Sequence, residues 1–160
     1  MKDISVLIDE IKFNYRVAAV IRDNDRILLH KSKEDVFYAI PGGRIEIGED
    51  SKTALKREFL EEMNAKINIK EMIGVVENFF EYNNKKYHEI MFLYEARFVN
   101  FELCKLDTIN GIENDGKLKF VWKNLTDINE LDIRPISVKK ILLDSESNFK
   151  HIIDDEYKLD

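Results

Sequence analysis

Short apolar runs rich in β-branched and aromatic residues, parted by polar turn formers, make up most of this chain, and such runs read as strands. Arg16–Ile21 and Arg26–His30 flank Asp23-Asn24-Asp25, which predicts a hairpin with turn residues in its middle. Val36–Ile40 reads as a short strand leading into Pro41-Gly42-Gly43, where paired glycines allow a tight reversal. Ile67–Phe80 and Tyr87–Val99 read as long strands joined at Asn83-Asn84, with Lys119–Trp122 as a last strand. Two stretches read as helices. In 51–63, Leu55 and Phe59 stand at i, i+4 with Met63 one turn on, flanked by Ala54 and Leu60, and Ser51 or Asp50 can cap the start. Ile136–Leu143 is amphipathic and follows Arg134-Pro135, with proline where an early helical position tolerates it. Residues 101–118 are polar and irregular, and 144–160 form an acidic tail to which the pattern assigns no element. The expectation is a mixed sheet with helices packed against it, in a single domain spanning 1–160.

Composition narrows the class. A chain of 160 residues with 44% apolar content and 2 prolines can bury a core of its own. Its net charge of −6 argues against a nonspecific nucleic-acid surface, which needs a basic stripe. A phosphate-bearing substrate stays open, because a bound metal supplies positive charge locally. Cys104, the single cysteine, can form no internal disulfide, which fits a reducing cytosol. Charges interrupt every apolar stretch of residues 1–14, and no run approaches the roughly 18 residues of a membrane span. A soluble, cytoplasmic protein is expected.

The candidate chemistry lies in residues 43–65, GRIEIGEDSKTALKREFLEEMNA. Gly43 is followed after five residues by Glu49, then after seven more by Arg57-Glu58-Phe59-Leu60-Glu61-Glu62. On a helix, Glu58 lies within one turn of Glu61 and Glu62, with Cβ atoms roughly 5–6 Å apart. Like charges so placed repel by about 0.2–0.5 kcal/mol per pair. Hard divalent cations want such a cluster of carboxylate oxygens. The plain alternative is a solvated, charge-laced helix. Six fixed residue types at fixed offsets arise by accident in fewer than roughly one such chain in ten thousand, which disfavours it.

This spacing resembles the Nudix box, Gly-x5-Glu-x7-Arg-Glu-U-x-Glu-Glu-x-Gly-U with U a bulky apolar residue. Phe59 meets the first apolar position, and Glu46 and Gly48 also sit where many family members have them. Asn64 stands in place of the last glycine and Ala65 in place of a larger aliphatic. Asn is the next most tolerant residue for a left-handed helix end, so the first departure is mild. The resemblance implies an α/β/α sandwich and a hydrolase that cuts a phosphoanhydride bond in a nucleoside diphosphate linked to another group. It also implies Mg²⁺ or Mn²⁺, held by Glu58 and Glu62 with Glu61 near and the Gly43 carbonyl as a further ligand. A water acidified by the metal is then the nucleophile. Arg57 and Glu49 orient the carboxylates through a forked ion pair. The general base is open between Glu61 and a downstream loop glutamate, for which Glu113 is the choice among Glu102, Asp107, Glu113 and Asp115.

The expected partner is a small-molecule nucleotide, with no stable nucleic-acid or membrane complex and a homodimer left open. Subfamily marks are mostly missing. Pro135 is the only proline after the box, too far along for the ADP-ribose pyrophosphatase pattern. The motifs of NADH and coenzyme A pyrophosphatases are absent. Tyr82 falls about where dinucleoside polyphosphate hydrolases of the family place a tyrosine, but the chain has 6 tyrosines. A nucleoside triphosphate or nucleotide-sugar substrate fits as well. The alternative from another class is a catalytically silent nucleotide-binding module. Trp122, Phe79 and Phe80 read as packing, and His88-Glu89 as cross-strand neighbours rather than a metal pair.

Overall fold

A computed structural model describes residues 2–146 and 148–157. Its strands are β1 (Ser5–Ile8), β2 (Ile11–Asp23), β3 (Arg26–Ser32), β4 (Gly42–Arg44), β5 (Ile67–Tyr82), β6 (Lys85–Phe98), β7 (Thr108–Asn110), β8 (Leu118–Asn124) and β9 (Lys150–Asp155). The α-helices are α1 (Ser51–Met63) and α2 (Lys139–Leu142). The sheet runs β7-β8-β3-β2-β6-β5-β9. β2 and β6 are parallel, as are β5 and β9, and the other pairs are antiparallel.

β6 holds one edge of β2 from Ile11 to Ile21. The other edge is shared in succession. β1 takes Ile11 to Asn14, β4 takes Arg16 to Ala18, and β3 takes only Arg22 and Asp23. β3 therefore splays away from β2, and β4 with its lead-in fills the gap. That gap opens the site.

Alternation along β2 sends successive residues to two separate cores. Val17, Ala19 and Ile21 pack with Ala54, Leu55, Phe59 and Met63 of α1. Ala18 and Val20 pack on the opposite face with Ile133, Val138, Ile141 and Leu142. The architecture is the expected α/β/α sandwich. No helix among the described residues is long and apolar enough to cross a membrane.

Most predicted elements appear at or near their predicted bounds, and several differ. The first hairpin forms around Asn24 (φ 52°), and the long strands turn at Asn83 and Asn84, both in the left-handed region asparagine tolerates. Val36–Ile40 is not a strand. It makes single bridges, Ala39 to His30 on the edge of β3 away from β8 and Tyr38 to Ile133. Gly42 and Gly43 form no tight reversal either: they are strand residues of β4. Residues 101–118 hold β7 and two 3₁₀ turns. The tail holds β9, which borrows its order from the edge of β5; positions 147 and 158–160 of that tail lie outside the described residues. The predicted Ile136–Leu143 helix is a 3₁₀ turn, Ile136–Val138, running into the short α2. Leu60 is 42% exposed rather than packed.

Candidate functional site

The ends of α1 are defined by their caps. Asp50 accepts hydrogen bonds from the amides of Lys52 and Thr53, each at 3.0 Å, which decides between the two predicted N-caps. Asn64 closes the helix at φ 51° and ψ 36°, donating its amide to the Leu60 carbonyl at 2.9 Å. Asn64 therefore fills the left-handed position expected of the missing glycine.

Between the caps, Arg57 organises the carboxylates. Its Nε donates to Glu49 Oε2 at 2.8 Å and its Nη2 to Glu49 Oε1 at 2.9 Å, the two-pronged geometry only arginine supplies. Nη1 donates to Glu58 Oε1 at 2.8 Å and Glu61 Oε2 at 3.2 Å, and Nη2 also reaches the Arg44 carbonyl at 3.0 Å. Glu49 also accepts the Glu46 amide at 3.0 Å. These bonds hold Glu49 well below the usual carboxylate range, led by the Arg57 hydrogen bond. One guanidinium thus ties α1 to β4 and to the loop between them.

Glu58 lies over β4. A Cβ on Gly43 would stand 2.1 Å from Glu58 Cδ, so only glycine leaves room for this carboxylate. Gly42 is needed for another reason, since its Cβ would meet the Val17 carbonyl at 2.1 Å. Burial raises the Glu58 carboxyl, against the pull of Arg57. Glu62 is only 8% exposed. Burial first, then the like charges of Glu58 and Glu113, push it up to about 8. Its backbone carbonyl accepts the Ile112 amide at 2.9 Å, so the 111–117 loop is pinned over the end of α1. That contact brings Glu113, far away in sequence, to a cavity of about 260 Å³ that Glu62 also lines. Glu61 is the outermost of the three, 45% exposed at its side chain.

Among the described residues no three acidic, His or Cys side chains form a closed metal cage. A hard divalent cation does not require one, because Mg²⁺ keeps several waters and completes its shell with substrate phosphates. The donor set fits such an ion. Glu58 and Glu62 are neighbouring carboxylates that burial drives toward protonation, and a cation at that point would reverse the penalty.

Beside these carboxylates lies a larger cavity of about 300 Å³, sharing Ser32, Asp35, Tyr82 and Leu118 with the smaller one. Arg16, Arg44 and Arg134 line it together with Phe37, Phe80 and Tyr87. Phe80, read as packing, is a wall residue, as is Tyr82, whose hydroxyl donates to Asp35 at 2.8 Å. Trp122 is core as read, its indole N–H bonded to the Leu103 carbonyl at 3.1 Å. His88 stacks on Phe79 with centroids 4.3 Å apart. Sequence reasoning passed over Arg16 and read Glu89 as a cross-strand neighbour only; the available signal was a charge at inward-facing positions of otherwise apolar strands.

A Nudix domain model matches residues 12–142, most of the chain. The chain belongs to the Nudix family of hydrolases. Solved structures agree in fold. A mutator MutT protein from Bacillus halodurans superposes with a TM-score of 0.66 at 20% identity, covering 86% of each chain. A Nudix hydrolase from Nitrosomonas europaea gives 0.64 at 19% identity over 89% of this chain and 79% of its own. An ADP-ribose pyrophosphatase from Streptococcus suis gives 0.59 at 14% identity over 88% and 98%. No curated protein sequence matches the chain. The Nudix box occupies β4, α1 and the loop between them.

Proposed function

We propose that this Nudix hydrolase is a divalent-cation-dependent pyrophosphohydrolase that cleaves a phosphoanhydride bond of a nucleoside diphosphate linked to a further group. The observation that carries this reading is the Glu58–Glu62 pair, a half-buried and a buried carboxylate destabilised as anions and set beside a nucleoside-sized cavity. Mg²⁺ or Mn²⁺, when bound, supplies charge neutralisation at the phosphates and acidifies water for attack. Glu58 and Glu62 hold the cation, with Glu61 and the Gly43 carbonyl as further donors. Glu49 and Arg57 keep Glu58 in position, since every prong of the guanidinium is engaged at 2.8–3.2 Å. Glu61 and Glu113 are the candidates for taking a proton. Arg44 supplies fixed positive charge at the cavity wall for phosphate oxygens. Substrates of the nucleoside triphosphate, nucleotide-sugar and dinucleoside polyphosphate types share the bond. The fold neighbour named for ADP-ribose supports a nucleoside diphosphate substrate.

A phosphate-release screen with Mg²⁺ tests this, with Glu62→Gln as the blank. Turnover of one substrate class by the wild type alone is the expected result. Silence across the panel, with nucleotide binding retained, would replace hydrolysis by a silent binding module.

A further inference from the structure

The floor of the larger cavity breaks the apolar pattern of the sheet. On the face that carries Ala18, Val20, Met91 and Val76, the register sets Asn14, Glu89 and Asn78 side by side across β2, β6 and β5. All three are buried, at 3%, 3% and 5% exposure, and all three line the cavity. Arg16 comes next on that face of β2, its Nη1 3.8 Å from Glu89 Oε2, which is beyond hydrogen-bond range. Asn14 is satisfied in part, its Oδ1 accepting the Ser5 hydroxyl at 2.7 Å. Glu89 Oε2 and Arg16 Nε are not: both are buried without a hydrogen-bond partner. Buried polar groups left unpaired are rare in folded proteins, because the water they lose is not replaced. Here one acceptor and one donor stand without a hydrogen-bond partner on side chains joined by a long ion pair at one end of one cavity. A purely structural polar row would have drawn this ion pair in to hydrogen-bond distance.

We propose that Glu89 and Arg16 form a nucleobase-reading pair, selecting bases whose edge sets a keto oxygen beside an imino N–H, as guanine, hypoxanthine and uracil do. This rests on the nucleotide substrate proposed above and assigns its base preference. Arg16 Nε donates to the keto oxygen, and Glu89 Oε2 accepts the imino N–H. Adenine and cytosine present the opposite order, an amino group beside a bare ring nitrogen. They would turn a donor toward the guanidinium and a lone pair toward the carboxylate. The walls suit a base as well. Phe80 and Tyr87 lie parallel at 4.9 Å and offer an aromatic surface. The adjoining smaller cavity leads toward Glu62, so a base held on this floor directs its phosphates to the carboxylates.

Nucleoside monophosphates test this without turnover, since they contain no phosphoanhydride. Calorimetric titration of the full chain with GMP, IMP and UMP is compared with AMP, CMP and 1-methyl-GMP, whose imino N–H is blocked. The first three are expected to bind about 5- to 150-fold tighter, the range for a paired contact to a base edge. Glu89→Gln, whose amide can donate to a bare ring nitrogen, is expected to carry the GMP-to-AMP ratio to one or below. Equal binding of GMP and AMP by the wild type overturns the proposal, as does an unchanged ratio in folded Glu89→Gln or no binding at millimolar nucleotide. If Glu89→Gln does not fold, the GMP and 1-methyl-GMP comparison on the wild type decides alone. A preference that persists while the hydrolysis screen is silent refutes the hydrolase reading and leaves this one standing; hydrolysis without preference does the reverse.

Discussion

Glu62→Gln separates the electrostatics of the site from its packing, because glutamine keeps the shape and removes the charge. In the folded protein burial raises the Glu62 carboxyl from 4.5 to about 8. Between those values the folded state holds a proton that the unfolded chain has released. Stability therefore falls as pH rises from about 4.5 and levels off above about 8, the reverse of a salt-bridged carboxylate. At about 1.4 kcal/mol per pH unit, full ionisation costs the fold at most about 5 kcal/mol. Relaxation and water entry reduce this to about 2–4 kcal/mol. Metal-free Glu62→Gln is thus expected to match the wild type at pH 5 and to melt about 4–16 °C higher at pH 9. Thermal melts in EDTA across that range measure it. Saturating Mg²⁺ should reverse the order at pH 8, stabilising the wild type and leaving the variant unmoved. A variant that melts lower than the wild type by the same amount at pH 5 and pH 9 would show that Glu62 serves packing, and the argument for a cation would fall with it.

The two glycines of β4 should respond differently to alanine. Gly43→Ala meets the flexible end of Glu58 and should cost about 1 kcal/mol or less in chemical denaturation while lowering kcat more than about tenfold; Gly42→Ala meets the Val17 carbonyl and the Ala18 backbone and should cost about 2–4 kcal/mol. Arg57→Lys keeps the charge but loses the fork to Glu49, so kcat should fall about 10- to 100-fold with the fold intact by circular dichroism. Asn64→Gly should lie within about 0.5 kcal/mol of wild type and Asn64→Ala should lose about 1 kcal/mol, since alanine keeps the Cβ at φ 51° without the short polar side chain that lets asparagine adopt it; urea melts distinguish them. Glu113→Gln should slow turnover with Mg²⁺ affinity little changed, and an unchanged rate would leave Glu61 as the proton acceptor.

Local features carried much of this protein into view before any fold was known. The i, i+4 stripe of Leu55 and Phe59, the cap at Asp50 and the left-handed Asn64 are properties of adjacent residues, and the helix formed between the predicted bounds. Asn83-Asn84 set its hairpin for the same reason. The box spacing brought Arg57, Glu49, Glu58, Glu61 and Glu62 into one candidate site because all lie on one helix or the loop before it. Long-range packing decided the rest. Val36–Ile40 had strand composition but makes only single bridges, to His30 and Ile133, while the acidic stretch at 150–155 had little strand signal and found an edge on β5. Glycines read as a turn proved to be clearances for Glu58 and for the β2 backbone. Glu113 reaches Glu62 only because Ile112 bonds across to the end of α1. Glu89 and Arg16 share a cavity floor only because β2 and β6 run parallel in one register. Burial is likewise a tertiary property: the chain alone shows three acidic residues on a helix, and only the packed sandwich decides that Glu62 is the most buried of them.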